Sequence, residues 1–278
     1  MPTGDTNSSK LGGSATERAF YDQMDWERYA ANPEIAAKMR LTADMIPADA
    51  RTVLDAGCGN GALTNLLVSP GRLVIGLDSS REPLRTVTAH TVRAAVESLP
   101  LADQSVDLVL LSEVLEHLPG ATLEQCVAEA KRVSRKYVLI ASPNREALRT
   151  RYLRCSHCGH EFNAYLHVQS LSAERVRRLL PGWTALVTAY SGHDEVRRWN
   201  WLSWVSQKLG NAWFAVQGSF ICRRCGRPLS TDYRVNIVGK ALRRLNWVAA
   251  RALRRVAPFF FVVLLARPGV PATPEGGR

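Results

Sequence analysis

A glycine-rich turn between a short apolar run and a helical stretch restricts the fold more than any other feature of this sequence. The segment is VLDAGCGNGALTNLL, residues 53–67, and its glycines are Gly57, Gly59 and Gly61. Glycine lets a backbone turn sharply and approach a ligand, because no Cβ stands in the way. Asp78 closes the next apolar run, where a carboxylate can accept two hydrogen bonds from ribose hydroxyls. The segment therefore predicts a strand, a turn and a helix that hold a nucleoside-containing ligand.

Short apolar runs recur along the chain and alternate with helical stretches. Such runs, without a polar residue at every second position, are typical of parallel strands that are buried on both faces. Their alternation with helices predicts an α/β fold with a doubly wound sheet up to about residue 190. The predicted strands are 51–57, 72–78, 105–112, 137–142, 183–190 and 259–266, and the predicted helices are 33–46, 80–90, 121–134 and 172–180.

The spacing of the glycines alone leaves the identity of the ligand open. Gly57, Gly59 and Ala62 also fit the dinucleotide fingerprint, whose last position tolerates alanine and which has an acidic residue about twenty residues later. A dehydrogenase would satisfy this part of the sequence. A tight turn that serves only packing would satisfy it as well.

Three segments together resemble the class I S-adenosylmethionine-dependent methyltransferases of the type that acts on small molecules. They are LDAGCGNG at 54–61, GLDSS at 76–80 and ESLPLADQSVDLVLLSEVLEHL at 97–118. The last segment, with its Leu-Pro turn, acidic loop and VLEHL helix, is typical of these enzymes and not of dehydrogenases. The resemblance covers about half of the chain, residues 50–190. It implies a seven-stranded Rossmann-like sheet in the order 3-2-1-4-5-7-6, with strand 7 antiparallel, and S-adenosylmethionine as cofactor.

The resemblance also implies roles for individual residues. Asp78 would hold the ribose with Ser79 beside it, and Ser112 would meet the methionine end of the cofactor. Ala95 stands where the family often has an aspartate that binds the adenine amino group, so either Glu97 replaces this contact or the contact is lost. The implied cofactor-binding residues are Asp55, Gly57 and Gly59 along the methionine part, Asp78 and Ser79 at the ribose, Val96 and Glu97 at the adenine, and Ser112.

Two histidines, His117 in VLEHLP and His167 in YLHVQS, are candidates for a catalytic base. Methylation of a hydroxyl requires a group that takes its proton, and histidine titrates near neutral pH. The predicted topology brings both histidines to the carboxyl edge of the sheet. A helix-end histidine that bonds only to backbone is the alternative for His117. His167 precedes a helix start, in a stretch that borders the acceptor pocket in related methyltransferases, and both readings stay open for it.

Two Cys-x-x-Cys-Gly turns, CSHCG at 155–159 and CRRCG at 222–226, lie far apart in the sequence. In a reducing compartment, turns of this shape favour zinc over disulfides. The first turn follows strand 5 and the second lies between strands 6 and 7, so both would emerge at the carboxyl edge, where a structural zinc would staple the insertion into a lid. Unrelated reactive or buried pairs, or a redox pair, are the alternatives. The predicted zinc ligands are Cys155, Cys158, Cys222 and Cys225, while Cys58 and Cys126 are expected to pack inside.

The net charge of +11 is concentrated in residues 192–258, which carry thirteen Lys or Arg and three Asp or Glu. Four of the seven tryptophans lie within 196–216. This composition suits a lid helix with a solvated Arg face, a surface that lies on anionic lipid, or a surface that binds nucleic acid. The wide spacing of the cysteine turns favours a lid over an RNA-binding ribbon. In the helix predicted at 240–256, the apolar face is Leu242, Leu245, Ala249, Leu253 and Val256, and the basic face is Arg243, Arg244, Arg251, Arg254 and Arg255.

The sequence predicts five regions and a cytoplasmic location, with peripheral association at the membrane surface as an open alternative. No apolar segment follows the start, and the longest apolar run, 257–266, is about half of what a membrane-spanning helix needs. The expected activity is O-methylation of a small-molecule, saccharide or lipid-linked acceptor. An RNA methyltransferase and a non-catalytic module that binds a nucleoside cofactor are the alternatives. The predicted regions are a tail at 1–18, a methyltransferase core at 19–191, a basic insertion at 192–258, a final strand at 259–268 and a tail at 269–278.

Overall fold

The computed structural model describes residues 26–215, 220–222, 224–229 and 231–271, and a seven-stranded sheet forms its centre. The strands of this sheet are β1 (Thr52–Ala56), β2 (Leu73–Asp78), β3 (His90–Arg93), β4 (Val106–Ser112), β5 (Ser134–Pro143), β8 (Thr184–Val196) and β11 (Val256–Ala266). They are ordered β3-β2-β1-β4-β5-β11-β8. The first five are mutually parallel, and β11 is antiparallel to both of its neighbours. The predicted strand order and the antiparallel last strand are confirmed.

Helices cover both faces of the sheet, because consecutive strand residues point to opposite faces. Val53 packs in the core that contains Met39, whereas Leu54 packs in the core that contains Val127 and Val176. The helix that carries Met39 begins with Pro33, and Asn32 caps it by accepting a hydrogen bond from the Glu34 amide at 2.9 Å. The helices of the core are α1 (Trp26–Ala31), α2 (Pro33–Asp44), α3 (Ala62–Leu67), α4 (Gly120–Val133) and α5 (Ala173–Leu179).

Three local predictions differ from the structure. The predicted helix over 80–90 is only a 3₁₀ turn at Pro83–Thr86, since the β-branched residues that follow this turn disfavour a longer helix. The edge strand β3 has one half-buried residue and three exposed ones, so the apolar pattern did not reveal it. The VLEHL stretch forms a 3₁₀ turn at Leu115–His117, and the α-helix starts only after Pro119.

Two excursions leave the sheet at its carboxyl edge. After β5, a hairpin forms from β6 (Tyr152–Arg154) and β7 (Glu161–Asn163). After β8 comes the insertion, which ends where Val256 pairs with Val196. Because β5 and β8 are both antiparallel to β11, they run in the same direction and both excursions start at the same edge. The insertion contains α6 (Asn200–Gly210), β9 (Phe220–Ile221), β10 (Pro228–Leu229) and α7 (Ile237–Ala252).

The helix α7 packs through a different face from the predicted one. Gly239, Asn246 and Ala250 are buried, whereas Leu245 from the predicted apolar face is 56% exposed. Arg243, predicted to be solvated, is half-buried and donates a hydrogen bond to the Trp213 carbonyl at 2.6 Å. The apolar pattern correctly indicated an amphipathic helix. The face that packs on the protein, however, is the one with Gly239, Asn246 and Ala250, because the neighbouring backbone approaches the helix there.

The ends of the described chain bear on the remaining predictions. The predicted tails at 1–18 and 269–278 lie outside the described residues, apart from 269–271. Both β8 and β11 reach a few residues into the region predicted as insertion, 192–258. None of the helices within the described ranges combines the length and the apolar character that crossing a bilayer requires.

Candidate active site

The glycine-rich turn joins β1 to α3 and has a backbone shape that glycine alone adopts easily. Gly57, Gly59 and Gly61 have φ of +85°, +54° and +76°. A Cβ on Gly57 would lie 2.5 Å from Cγ2 of Val114, and one on Gly59 would lie 2.9 Å from the ring of Trp26. The turn therefore needs glycine both for its conformation and for its close neighbours.

Asp78 lies at the end of β2, and its carboxylate faces the glycine turn. Its Oδ2 accepts a hydrogen bond from the Gly59 amide at 3.0 Å, and its Oδ1 accepts one from the Ser80 amide at 2.8 Å. Burial raises the pKa of Asp78, although these amide hydrogen bonds act against the rise. The carboxylate thus lies at the mouth of the turn, where it can accept hydrogen bonds from a ribose.

Asp55 supports the same turn from inside the protein. It is buried, and its Oδ2 accepts a hydrogen bond from the Thr64 hydroxyl at 2.7 Å. Burial raises the pKa of Asp55 to about 6, the Thr64 hydrogen bond opposes the rise, and the charge of Asp78 adds to it. In this structure Asp55 holds the start of α3 beneath the turn, and its contact with the methionine part of a cofactor stays a prediction.

The other residues implied for the cofactor follow the ends of neighbouring strands. Ser79 directly follows β2, Ser112 ends β4, and Val96 and Glu97 lie just beyond β3. The Ala94 amide donates a hydrogen bond to the Asp78 carbonyl at 3.1 Å, which brings the segment after β3 beside the end of β2. These four residues therefore lie at the same edge of the sheet as Asp78, and they are half-buried there.

The two candidate histidines meet at this edge, beyond β4 and β5. The ring centroids of His117 and His167 are 4.8 Å apart. Nδ1 of the buried His167 lies 2.5 Å from Oε2 of Glu146, which is also buried. This pairing leaves Nε2 of His167 as the nitrogen that can exchange a proton with a ligand.

The surroundings change the proton affinities of these histidines in opposite directions. Burial, together with the charge of His167, lowers the pKa of His117 to about 3, and His117 also hydrogen-bonds to the backbone of Leu166. Burial would lower the pKa of His167 too, but the hydrogen bond to Glu146 and the charges of Glu146, Glu116 and Glu113 raise it above its ordinary value. A base with a pKa near that of His117 takes up a proton poorly at neutral pH. His167 is therefore the better base, and His117 fits the backbone-bonded alternative.

Buried charged residues that the sequence reasoning missed surround the histidines. Glu116 is 1% exposed, and its Oε2 accepts a hydrogen bond from the Ser142 hydroxyl at 3.1 Å, while its Oε1 has no hydrogen-bond partner within the described residues. Burial and the charge of Glu113 raise the pKa of Glu116 to about 8. Lys38, 1% exposed, lies 3.2 Å from Glu113 Oε1. The positions of Glu113, Glu116 and Glu146 just after two adjacent parallel strands were an available signal, whereas nothing in the sequence singles out Lys38.

The same cluster has the donor set of a metal site. Glu116, His117 and His167 each place a ligand atom within 4.8 Å of the others. Imidazole nitrogens with a carboxylate oxygen suit divalent transition metals, and a metal-bound histidine commonly donates its other nitrogen to a carboxylate, as Glu146 would allow. The cluster can therefore transfer a proton or hold a cation.

The four predicted zinc ligands lie close together. The Sγ atoms of Cys155, Cys158, Cys222 and Cys225 are all within 4.8 Å of one another. The separation is 3.8 Å between Cys155 and Cys225 and 3.6 Å between Cys158 and Cys222. Thiolates at about 2.3 Å from a tetrahedral zinc lie about 3.8 Å apart, whereas a disulfide joins its sulfurs at about 2.0 Å. The spacing fits a shared zinc ion and does not fit disulfides.

The two cysteine turns have the same local geometry. In the β6–β7 hairpin, the Gly159 amide donates to the Cys155 carbonyl at 3.0 Å, and in the β9–β10 hairpin the Gly226 amide donates to the Cys222 carbonyl at 2.8 Å. Gly159 and Gly226 have φ of +70° and +68°. Each hairpin therefore presents two sulfurs from one tight turn, and the two turns face each other. The other two cysteines are accounted for by packing: Cys126 is buried on α4, and Cys58 is half-buried in the glycine turn.

Sequence comparisons match the central part of the chain. The family described as a methyltransferase domain matches residues 54–141. A probable S-adenosylmethionine-dependent methyltransferase of Mycolicibacterium smegmatis is 39% identical over 102 residues, which are 34% of this chain and 39% of that protein. A ubiquinone biosynthesis O-methyltransferase of Photobacterium profundum is 30% identical over 109 residues, 35% of this chain and 46% of that protein. The chain thus spans less than half the length of these curated relatives.

Solved structures match nearly the whole chain. A SAM-dependent methyltransferase from Archaeoglobus fulgidus aligns with a TM-score of 0.54 and 17% identity over 87% of this chain and 98% of its own. The 1,6-didemethyltoxoflavin-N1-methyltransferase of Burkholderia thailandensis, solved with S-adenosylhomocysteine, aligns with a TM-score of 0.52 and 14% identity over 93% of each chain. At such low identity, these alignments show a shared fold.

Proposed function

We propose that this chain, which has the fold of the class I S-adenosylmethionine-dependent methyltransferases and matches the methyltransferase domain over residues 54–141, methylates a hydroxyl oxygen of a small-molecule acceptor. The observation that carries the proposal is the buried pair of His167 and Glu146, which lies at the same sheet edge as Asp78 and the glycine turn. An oxygen acceptor needs a base, and this pair supplies one.

The glycine turn and Asp78 would hold the cofactor. The glycine turn would lie along the methionine part, and the Asp78 carboxylate would accept hydrogen bonds from the ribose hydroxyls in place of the Gly59 amide. Bound S-adenosylmethionine supplies an activated methyl group on a sulfonium, which is a good leaving group. The remaining tasks for the protein are orientation of the acceptor and removal of its proton.

His167 would act as the general base. Glu146 holds Nδ1 of the ring and stabilises the imidazolium, so Nε2 is positioned to take the hydroxyl proton. The bound S-adenosylmethionine would supply the methyl group and leave as S-adenosylhomocysteine, while the proton of the acceptor hydroxyl would pass to Nε2 of His167.

A divalent cation on Glu116, His117 and His167 is the competing way to activate the hydroxyl, since a bound metal lowers the pKa of an oxygen ligand. The two mechanisms differ in one measurement. Turnover by His167 acting as a base survives an EDTA treatment that leaves the zinc of the four cysteines in place, as checked by elemental analysis, and is not increased by added Mn²⁺. Loss of turnover with EDTA and recovery with Mn²⁺ assigns the cluster to a metal instead.

We propose a structural role for zinc at the four cysteines. Four thiolates complete a tetrahedral shell and leave no position for water or substrate, so the ion would tie the insertion to the loop after β5. Support comes from sulfur separations of 3.6 and 3.8 Å. Elemental analysis of the purified chain should give about one equivalent of zinc.

The acceptor class rests on the relatives and on the chemistry of the edge. The matched Photobacterium protein is named as an O-methyltransferase of ubiquinone biosynthesis, and the matched Burkholderia structure, an N1-methyltransferase, contains 1,6-didemethyltoxoflavin. For this chain we propose a small molecule, with saccharides and lipid-linked molecules included in that class.

One experiment tests the proposal directly. A cell extract is incubated with the chain and with S-adenosylmethionine that carries a labelled methyl group, and the label is followed into small-molecule, lipid and RNA fractions. Label in a methyl ether of a small molecule or lipid supports the proposal, and label in a methyl ester or in RNA contradicts it. Titration calorimetry with S-adenosylhomocysteine tests the cofactor separately, and binding of NAD instead would contradict the assignment to methyl transfer.

A further inference from the structure

The helices α6 and α7 of the insertion pack against each other through small residues. Gly210 and Gly239 are so close that a Cβ on Gly210 would lie 2.1 Å from the Gly239 Cα. Asn236 bridges the two helices, donating from Nδ2 to the Leu209 carbonyl at 2.9 Å while its Oδ1 caps α7. Glycine at a helix crossing lets two backbones approach closely without large apolar side chains between them.

The middle of the same helix pair is joined by a polar residue. Asn246, 1% exposed, donates from Nδ2 to the Trp199 carbonyl at 3.0 Å and to the Ser203 hydroxyl at 3.1 Å. Its Oδ1 accepts a hydrogen bond from the Trp199 amide at 2.8 Å. The contact between the helices therefore uses glycine, asparagine and serine, where a helix pair of a water-soluble domain normally buries its largest apolar residues.

Most of the large apolar side chains of both helices are exposed instead, although Leu202 of α6 is buried. Ile237 is 82% exposed and Trp201 is 64% exposed. Single exposed apolar residues are common, but several on one face of a helix, as on α7, mark an interaction surface. The exposed large apolar residues are Trp201, Trp204 and Leu209 on α6, Ile237, Val238, Leu245, Trp247 and Val248 on α7, and Leu253 just after it.

Basic residues lie directly beside the apolar residues of α7. With about 100° per residue, Ile237, Leu245 and Val248 form one stripe of the outer face, and Lys240, Arg244 and Arg251 form the adjacent stripe. Neither α6 nor α7 contains an Asp or Glu. Within the described residues, none of these three basic side chains forms an ion pair with a carboxylate. The helix thus presents an apolar stripe and an uncompensated positive stripe side by side.

We propose that the outer face of α7 binds the surface of an anionic lipid bilayer. A helix with an apolar and a basic stripe side by side lies in the plane of the interface, with its apolar stripe among the acyl chains and its basic side chains at the phosphates. Trp247, which is 45% exposed beside the basic stripe, suits the headgroup level, where tryptophan is enriched. The inference does not depend on the proposed methyl transfer, because it uses none of the residues of that site.

The charge of this face argues against other occupants. A second copy of the chain in a symmetric dimer would bring the stripe of Lys240, Arg244 and Arg251 against the same positive stripe. Nucleic acid would match the charge but offers planar bases, on which aromatic rings stack, and gives the aliphatic Ile237, Leu245 and Val248 nothing to pack on. An anionic bilayer offers acyl chains to the apolar stripe and phosphates to the basic stripe.

Sedimentation of the full chain with lipid vesicles tests the proposal. We expect binding to vesicles of equal parts phosphatidylcholine and phosphatidylglycerol and little binding to pure phosphatidylcholine. The variant I237S/L245S/V248S removes the apolar stripe, and R244E/R251E reverses the basic one; each should weaken binding by about tenfold or more, since lost apolar burial and lost phosphate contact add up over several residues. L66S, at an exposed leucine of α3, should bind as the unaltered chain does.

Three results would overturn the proposal. They are the absence of binding to the anionic vesicles, equal binding by I237S/L245S/V248S, which would indicate non-specific charge attraction, and retention on single-stranded RNA that competes vesicles away. Titration with S-adenosylhomocysteine serves as the folding control, because its affinity should be unchanged in all the variants. If the unaltered chain does not bind S-adenosylhomocysteine, this result counts against the proposed function and leaves the lipid result standing.

Discussion

The proposed cofactor side and the proposed acceptor side of the sheet edge are built in different ways. On the cofactor side, the Gly59 amide and the Asp78 carboxylate come from two consecutive strand ends and bond directly to each other. On the acceptor side, His167 meets Glu146 from the loop after β5, and Cys155 meets Cys225 across 70 positions of sequence. One side is a local backbone shape, and the other is an assembly of side chains from distant segments.

This difference implies that the two sides can be damaged separately. A change on the cofactor side should alter the affinity for S-adenosylhomocysteine, and a change on the acceptor side should alter turnover while that affinity stays the same. The comparison fails if the variants below change both quantities together.

The largest effect is expected for H167N. Loss of the general base should lower kcat by a factor of about 100 to 10,000 while the affinity for S-adenosylhomocysteine stays within about twofold. Single-turnover kinetics and titration calorimetry measure the two quantities. H90N, at an exposed histidine of β3, is the matched control. Partial rescue of H167N by added imidazole would identify the lost group as a base, and an unchanged kcat would exclude His167 from that role.

A somewhat smaller effect is expected for D78N on the cofactor side. Replacing a charged acceptor of two ribose hydrogen bonds should weaken binding of S-adenosylhomocysteine by about 100-fold, since hydrogen bonds to charged groups contribute about 1.5–3 kcal/mol each. Calorimetry measures this change, and circular dichroism checks the fold. D103N, at an exposed aspartate that pairs with Arg132, serves as the control. Equal binding by D78N and the unaltered chain would contradict the ribose assignment.

The third prediction concerns the cysteine cluster. C158S/C222S should lose its zinc and lower turnover by about tenfold, because the loop that carries His167 is no longer tied to the insertion, while cofactor affinity is retained. Zinc content and calorimetry are the measurements. H157A/R224A, in the same two turns but outside the set of sulfur ligands, should keep its zinc. A double cysteine variant with full zinc content would refute the site.

The smallest effect is a change in pH dependence. His167 must be neutral to act as a base, so kcat should rise with pH through a pKa above the ordinary value of 6.5, because Glu146 raises the pKa of His167. E146Q removes that charge, so the rise should move to lower pH. The pH profile of single-turnover rates measures the midpoint, and the same midpoint in both proteins would show that Glu146 does not tune this base.

The sequence predicted the shape of the glycine turn and the position of Asp78 beside it, because their determinants are local. The conformations of Gly57 and Gly59 and the position of Asp78 at a strand end follow from short segments, and the strand order followed from the resemblance that these segments carry. The pairing of His167 with Glu146 depends on how two loops meet, and Lys38 enters from a helix more than a hundred residues away, so no short pattern contains them. For α7, the pattern revealed an amphipathic helix but not that its glycine and asparagine would face the protein.

The pairing of Val196 with Val256 lets the sequence and length of the insertion vary without changes to the central sheet. Its two ends meet as neighbours on adjacent strands, about 5 Å apart, so a short hairpin could in principle bridge the same gap. A segment attached in this way can be lengthened, given a different charge or exchanged for another without a shift of any strand of the sheet. Lineages that share this core could therefore acquire new acceptors by exchanging the insertion together with the β6–β7 hairpin, which carries Cys155 and Cys158, while the proposed methyl-donor site stays unchanged.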